Sequence, residues 1–180
     1  LMRRAMKGSL DIVSPAWAVQ KELATPADTS IPEGTYGSEI KAVANFKKAI
    51  LMVIGAAAKG QMDGKLDLKE SQEIVINVSD MLADLLNAES TLLRLQKLRQ
   101  TGKATQPQEV LDAVLQVYIH DANARIAKNG LDAVASFAED DLLDTFVAGI
   151  RRFTQYPPRN VAKLRRIVAD HCLKATKYAP

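Results

Sequence analysis

The residues of this chain that could take part in chemistry are few: two histidines, one cysteine and scattered acids. His120-Asp121 has the makings of a proton relay or a metal pair, and His171 falls on a different predicted helix. A di-metal helical bundle would offer a Glu-x-x-His pair, but Val117 and Val168 stand three residues before the two histidines. The economical reading of both is a hydrogen bond on a helix surface or between helices. Glu139, Asp140, Asp141 and Asp144 lack the oxygen-rich loop that calcium needs. They read instead as the acidic opening of a helix, where negative charge complements the dipole. Cys172 falls on an apolar stripe with no evident base, which predicts a buried, inert thiol. Gly55-Ala56-Ala57-Ala58 is no phosphate loop; inside a helix such small residues let a neighbouring helix come close. No catalytic, cofactor-binding or metal-binding residue is assigned.

Charge supplies a binding candidate. From residue 151 onward, Arg151, Arg152, Arg159, Lys163, Arg165, Arg166, Lys174 and Lys177 face a single acid, Asp170. One reading is a solvated face paired with the acids around Asp140 and Asp144. A second is a docking surface for a protein partner. A third is attraction to anionic lipid headgroups or phosphates, at about 1 kcal/mol per cation near a membrane. The candidate contact residues are Arg151, Arg152, Arg159, Lys163, Arg165 and Arg166. Nucleic acid is not an expected partner, because neither interleaved aromatics nor a helix-turn-helix signature accompanies these cations.

The elements that must position these residues are helical. The chain has 180 residues, 47% hydrophobic and 25% charged, with 5% aromatic and a net charge of +3. Ala and Leu lose little side-chain freedom in helices and dominate here. One cysteine excludes an internal disulfide and a multi-cysteine zinc site, in keeping with a reducing, cytoplasmic setting. Charged residues near Arg3 and Asp11 replace the apolar segment of a signal peptide. The apolar run 49–58 is shorter than the ~20 residues that span a bilayer.

Residues 1–24 read as a helical arm that opens in helical register, without the character of a protein start, as in a fragment. Ser14-Pro15 is the expected cap and first turn of its helix. Its apolar residues Leu10, Ile12, Val13, Trp17 and Val19 must fold back on the rest or pair with another molecule. Prolines and glycines mark 25–37 as a linker. Ser38 is expected to cap a helix running to about Gly60, with an apolar run wider than one face, as in a central bundle helix. A long helix follows from about Asp67 to Gln100, roughly 50 Å at 1.5 Å per residue. Its stripe is Val75, Val78, Leu82, Leu85, Leu92, Leu95 and Leu98, and Thr101-Gly102 ends it. Thr105 and Gln108 match a capping box, and Asn129-Gly130 predicts the next stop. A short helix, one over about 141–154 and one capped by Asn160 complete the chain. The fold class is therefore all-α: an antiparallel bundle of four to six helices over 38–180, preceded by the arm.

Several segments, in order, carry a resemblance. They are Arg3-Arg4-Ala5-Met6-Lys7-Gly8 with Trp17-Ala18-Val19-Gln20-Lys21-Glu22-Leu23, and Lys47-Lys48-Ala49-Ile50-Leu51-Met52-Val53 with Gly55-Ala56-Ala57. Ala88-Glu89-Ser90 with Leu92-Leu93-Arg94, then Arg151-Arg152-Phe153-Thr154, Arg165-Arg166-Ile167-Val168 and Lys177-Tyr178 follow. Together they resemble the C-terminal helical domain of bacterial long-chain acyl-CoA dehydrogenases, similar to the mitochondrial very-long-chain enzyme. The resemblance implies a parent that uses FAD in fatty-acid β-oxidation, with flavin site, acyl pocket and catalytic glutamate in preceding domains. It implies an accessory part without cofactor of its own. Its partners would be the upstream catalytic domains, further copies in a homo-oligomer, and the membrane periphery. Glu33-Gly34-Thr35 copies the start of the family's catalytic loop, but Tyr36-Gly37-Ser38 spoils the spacing and the order along the chain is reversed. The alternative is a free-standing helical interaction module that holds an acidic partner through its basic end.

Overall fold

The structure, a computed structural model, describes residues 10–175. Among them are six helices and no strand: α1 (Val13–Glu22), α2 (Gly37–Met62), α3 (Gln72–Thr101), α4 (Gln108–Ala135), α5 (Asp140–Phe153) and α6 (Val161–Ala175). This is the all-helical bundle expected. The arm residues before Leu10 and the pair Lys177-Tyr178 lie outside the described residues.

α2 is the hub. It packs against α1, α3, α4 and α5. Phe46, Ala49, Met52, Val53 and Ala57 are buried, as are Ile50 and Ile54, so burial covers more than one face. This is why its apolar run is too broad for a surface helix. α4 forms the second axis, touching α2, α3, α5 and α6, and buries Leu115, Ile119, Ala122, Ile126 and Val134. Packing of this kind, more than intrinsic propensity, holds such helices together.

The helix ends show where local signals were overridden. At α1 it is Asp11 that caps: its Oδ1 accepts from the amides of Val13 (3.1 Å) and Ser14 (3.0 Å). Ser14 and Pro15 therefore lie inside the first turn. α2 starts at Gly37 and α4 at Gln108, neither with a side-chain cap, so Ser38 and Thr105 do not cap. α3 starts at Gln72; residues 67–71 form a turn in which the Asp67 carboxylate accepts from the Lys69 amide. Gly102, at φ 64°, closes α3 in the left-handed region as expected. Gly130 does not end a helix. It lies buried within α4, where an added Cβ would meet Met81 Cε at 3.2 Å and Ile150 Cδ1 at 3.4 Å. Tertiary packing there outweighs glycine's poor helix propensity. The Asn160 cap holds: its Oδ1 accepts from the Lys163 amide at 3.0 Å.

α1 lies on α2, and Ile12, Ala16 and Val19 are buried there. The described arm residues thus fold back on the bundle. Gly55 makes that approach possible, since a Cβ at this position would overlap Ala16 Cβ and lie 3.4 Å from the Ile12 carbonyl oxygen. Lys48 on α2 bonds Glu22 at 2.6 Å across the same interface. The segment that follows is strapped down from two sides. Arg152 donates to the carbonyls of Leu23 (3.4 Å), Thr25 (2.7 Å) and Pro26 (3.1 Å), and Lys41 donates to those of Asp28 and Ser30.

Candidate functional site: polar clusters and the basic end

Three polar clusters tie the helices together, and they share one composition. Each contains a tyrosine, a carboxylate and an arginine. Tyr36 donates to Asp112 Oδ1 at 2.7 Å, Arg99 donates to Asp112 Oδ2 at 3.1 Å, and the guanidinium stands 5.3 Å from the Tyr36 ring centre. Tyr118 donates to Asp84 Oδ1 at 3.1 Å. Arg125 grips the same carboxylate through Nε (2.9 Å) and Nη2 (2.6 Å), 5.7 Å from the Tyr118 ring. Tyr156 donates to Glu39 Oε1 at 2.6 Å, with Arg159 at 3.4 Å from the same oxygen and 5.6 Å from the ring. The first cluster joins the start of α2 to α3 and α4, the second joins α3 to α4, and the third joins α2 to the α5–α6 connection.

The pattern has a simple cause. Burying a carboxylate is tolerated when charge-assisted hydrogen bonds replace its water. Glu39 and Asp84 are the buried charged residues among those described. A guanidinium over a tyrosine ring adds a cation–π attraction of about 0.5–2 kcal/mol, depending on how dry the site is. Burial and the Glu39 carboxylate push the Tyr156 hydroxyl well above the tyrosine range. Burial likewise raises Tyr36 and Tyr118, each beside its aspartate. The hydrogen bonds that Arg125 donates to Asp84 raise its pKa. Phenols held neutral and carboxylates already filled by donors are poorly matched to proton transfer near neutral pH.

The residues singled out in the sequence fall as follows. His120 Nδ1 lies 3.2 Å from Asp121 Oδ1, and Arg165 of α6 donates to both oxygens of Asp121 at 2.9 and 2.8 Å. Burial would raise the Asp121 pKa; Arg165 and His120 outweigh it and the net shift is downward. His171 Nε2 stands 2.6 Å from Gln106 Oε1. His120 thus sits in a local hydrogen bond on α4, and His171 in one between α6 and the α3–α4 connection. Asp140 and Asp141 open α5. Among the described residues no group of three His, Cys, Asp or Glu is placed to hold a metal ion. Cys172 is exposed, which corrects the expected burial: α6 buries none of its residues and presents only half-buried Val161, Leu164, Ile167 and Val168 to its neighbours. Glu33 is exposed in the segment before α2.

Of the six basic candidates, three are engaged within the chain: Arg152 on the strap carbonyls, Arg159 on Glu39 and Arg165 on Asp121. Arg151, Lys163 and Arg166 are exposed and in no ion pair among the described residues. None of the six pairs with Asp140 or Asp144, because the acidic start of α5 lies a helix length from its own arginines and α6 packs on α4.

Two cavities flank α2. One of about 640 Å³ lies under the strap, lined by Asp28, Lys41, Asn45, Lys48, Arg152 and Tyr156. The other, of about 280 Å³, is apolar and lies beside α1, lined by Trp17, Met52, Gly55, Phe137, Leu142 and Phe146. The glycine–alanine run is internal to α2 and is filled by Ala16, so it offers no free helix N-terminus to a phosphate group.

With this geometry in view, the comparisons with known proteins are decisive. The family model described as "Acyl-CoA dehydrogenase, C-terminal domain" matches residues 45–152. The chain belongs to this family. The domain is 28% identical over 178 residues to a probable acyl-CoA dehydrogenase of Bacillus subtilis (strain 168), covering 98% of this chain and 29% of that protein. It is also similar to the crystal structure of an acyl-CoA dehydrogenase complexed with FAD from Bacillus anthracis. There the TM-score is 0.85 and the identity 28%, over 99% of this chain and 29% of that one. The domain therefore spans less than a third of the length of these relatives. Among the described residues no helix is long and apolar enough to cross a membrane.

The buried carboxylates are the functional-looking residues that a reading of the sequence passed over. Both left a signal. Asp84 lies on the same face of α3 as Met81, Ala88 and Leu92, and Glu39 lies four and seven residues before Val43 and Phe46. A carboxylate on an apolar stripe demands a buried partner.

Proposed function

We propose that this chain is the accessory C-terminal domain of a flavin-dependent acyl-CoA dehydrogenase and performs no dehydrogenation by itself. Residues 1–24 act as an arm, 25–37 as a linker and 38–180 as the accessory bundle. FAD and acyl-CoA chemistry belong to the preceding part of a longer polypeptide, and the domain supports subunit packing there. The observation that carries this reading is the likeness to an FAD-complexed enzyme across 99% of this chain and only 29% of that one. The polar clusters support it: their carboxylates are engaged by tyrosine and arginine donors from other parts of the bundle. The test is direct. The purified 180-residue chain is expected to be colourless and inert towards acyl-CoA, and its reading frame to continue upstream into flavoprotein sequence. A flavin spectrum on the isolated chain, or oxidation of acyl-CoA by it, would overturn the proposal.

A second reading rests on Arg151, Lys163 and Arg166, exposed without intrachain partners. They favour contact with an acidic surface, such as an anionic membrane or an acidic protein partner, as a free-standing module would make. Three cations supply only about 3 kcal/mol at a membrane. Sedimentation with anionic vesicles at low salt tests it, and failure to pellet removes the membrane reading.

A further inference from the structure

The larger of the two cavities beside α2, about 640 Å³, is of the size that holds a small molecule. It lies between the strap, α2, α4 and the end of α5 with its connection to α6. Three cations line it, Lys41, Lys48 and Arg152, and two acids, Glu22 and Asp28. Three against two leaves one positive charge in excess. Glu22 is already paired with Lys48, at 2.6 Å. Asp28 turns its carboxylate to the Ser30 amide, at 2.9 Å. Lys41 and Arg152 meet only uncharged acceptors, the carbonyls of the strap.

The strap does not use up these donors. An ammonium has three hydrogens and a guanidinium five. Lys41 donates to the carbonyls of Asp28 and Ser30, which leaves one hydrogen over. Arg152 donates through Nη1 and through one hydrogen of Nη2. Its Nε–H and the other Nη2 hydrogen have no acceptor among the described residues. Arg125 uses these same two nitrogens to hold both oxygens of Asp84, so the free edge of Arg152 matches a carboxylate. Two asparagines on the cavity wall are unpaired as well. Asn45 of α2 and Asn123 of α4 are half-buried, and neither side chain has a hydrogen-bond partner among the described residues. Asn123 Oδ1 itself is buried. A buried polar atom left unpaired costs about 1–3 kcal/mol, which a bound polar group would relieve. A hydroxyl suits this position, since it can donate to the oxygen or, with the carboxamide turned over, accept from its nitrogen. Ile40 and Phe153 supply an apolar wall beside these groups.

We propose that the cavity under the strap binds a small hydroxycarboxylic acid as its monoanion, with Arg152 and Lys41 taking the carboxylate and Asn123 the hydroxyl. A single negative charge balances the lining. A doubly charged phosphate would bring one charge too many, close to Asp28 and Glu22. The site stands on the cavity alone and does not depend on the accessory role proposed above.

NMR of the 180-residue chain, titrated with 3-phenyllactate, tests it. The Nε–H of Arg152 and the side-chain amides of Asn45 and Asn123 are expected to shift and saturate together, at a dissociation constant of about 1 mM or below. 3-Phenylpropionate, which lacks the hydroxyl, should bind roughly 3- to 10-fold more weakly. Phenyllactamide, which lacks the charge, should cause no saturable shift. Asn123→Ala should erase the preference for the hydroxy acid and leave the affinity for 3-phenylpropionate within about twofold. Asn45→Asp places a like charge in the cavity and should weaken both acids roughly tenfold or more. Neither asparagine holds the strap, and circular dichroism serves as the check on folding. The absence of a saturable shift at these three side chains overturns the proposal. So does a response centred on the exposed Arg151, Lys163 and Arg166, an equal response to phenyllactamide, or a hydroxyl preference that survives Asn123→Ala. Inorganic phosphate that binds more tightly than 3-phenyllactate refutes the choice of a carboxylate. A flavin spectrum on the chain, by contrast, would sink the proposed function and leave this site standing.

Discussion

Gly55→Ala tests the docking of α1 on α2. The added methyl would overlap Ala16 Cβ, and it would also stand 3.4 Å from the Ile12 carbonyl and 3.6 Å from Ala16 Cα. The obstacle is α1 backbone and a short side chain, not the end of a flexible one, so α1 must move away from α2. Overpacking of this kind costs about 1–3 kcal/mol. Against it stands the docking of α1, in which Ile12, Ala16 and Val19 are buried. A penalty near 2 kcal/mol shifts the docked-to-undocked ratio by a factor of about 30.

Trp17, the one tryptophan of the chain, lies on α1 and lines the apolar cavity that Gly55 also lines. Its fluorescence thus reports docking. Gly55→Ala is expected to shift the emission to the red and to raise acrylamide quenching while helical content falls by little more than α1. Ala16→Gly removes the opposing methyl at about 1 kcal/mol of helix propensity. The double variant should then be more stable than the sum of the single losses predicts, with a coupling of about 1–2 kcal/mol. Gly55→Ala with parental emission and quenching, or strictly additive losses in the double variant, would refute the close approach of α1 to α2.

Three further outcomes are expected. Asp84→Asn should lower the unfolding free energy by about 2 kcal/mol in urea titrations, less than for a fully buried pair because Arg125 is half exposed and rehydrates. A loss below about 0.5 kcal/mol would show that the α3–α4 cluster is not structural. Because the folded-state pKa of Tyr156 is raised, its contribution is complete below the ordinary value of 10.0 and fades as pH climbs above it; Tyr156→Phe should flatten that alkaline limb. Because the folded-state pKa of Asp121 is lowered, its contribution is present above the ordinary value of 3.8 and fades as pH falls through the folded value. Arg165→Gln should weaken that acid limb in urea midpoints measured from neutral pH downward, and an unchanged limb would exclude the α4–α6 pair as its source.

What was legible in the sequence was whatever repeats at short range. Apolar spacing marked each of the helices, and the breadth of the 49–58 run identified α2 as central. Gly102 ended α3 because a left-handed residue was needed there. The failures were competitions between adjacent signals or between local and tertiary ones. Asp11 outcompeted Ser14 as a cap from three residues upstream. Gly130 reads as a stop, yet the space it leaves for Met81 and Ile150 keeps α4 continuous. On α3 the row around Val75 and the row around Ile74 overlap in period, and only the packing of α2 and α4 decides which is inside. Cys172 reads as buried from its stripe, yet α6 packs chiefly on α4 and buries no residue fully.

The tyrosine–carboxylate–arginine clusters show why a basic, acid-bearing sequence need not advertise a reaction. Each cluster joins residues distant in sequence: Tyr36 to Asp112, Asp84 to Arg125, Glu39 to Tyr156. A hydrophobic stripe tolerates sliding along a helix, since one leucine can replace another in contact. A carboxylate that must meet both a phenol and a guanidinium fits one register, and a slip by one turn would leave it buried without partners. In a bundle whose core is largely Ala, Leu, Ile and Val, the polar triads are what distinguish the native alignment of α2, α3 and α4 from its neighbours. Arg152 extends the same logic to the strap, by reading the carbonyls of residues 23–26 in place of a carboxylate. The charged residues that looked free to bind a partner are thus divided. Arg99, Arg125, Arg152, Arg159 and Arg165 are engaged in setting the register of the fold. Of the six basic candidates at the end of the chain, Arg151, Lys163 and Arg166 are the ones whose charge is left entirely to face another molecule.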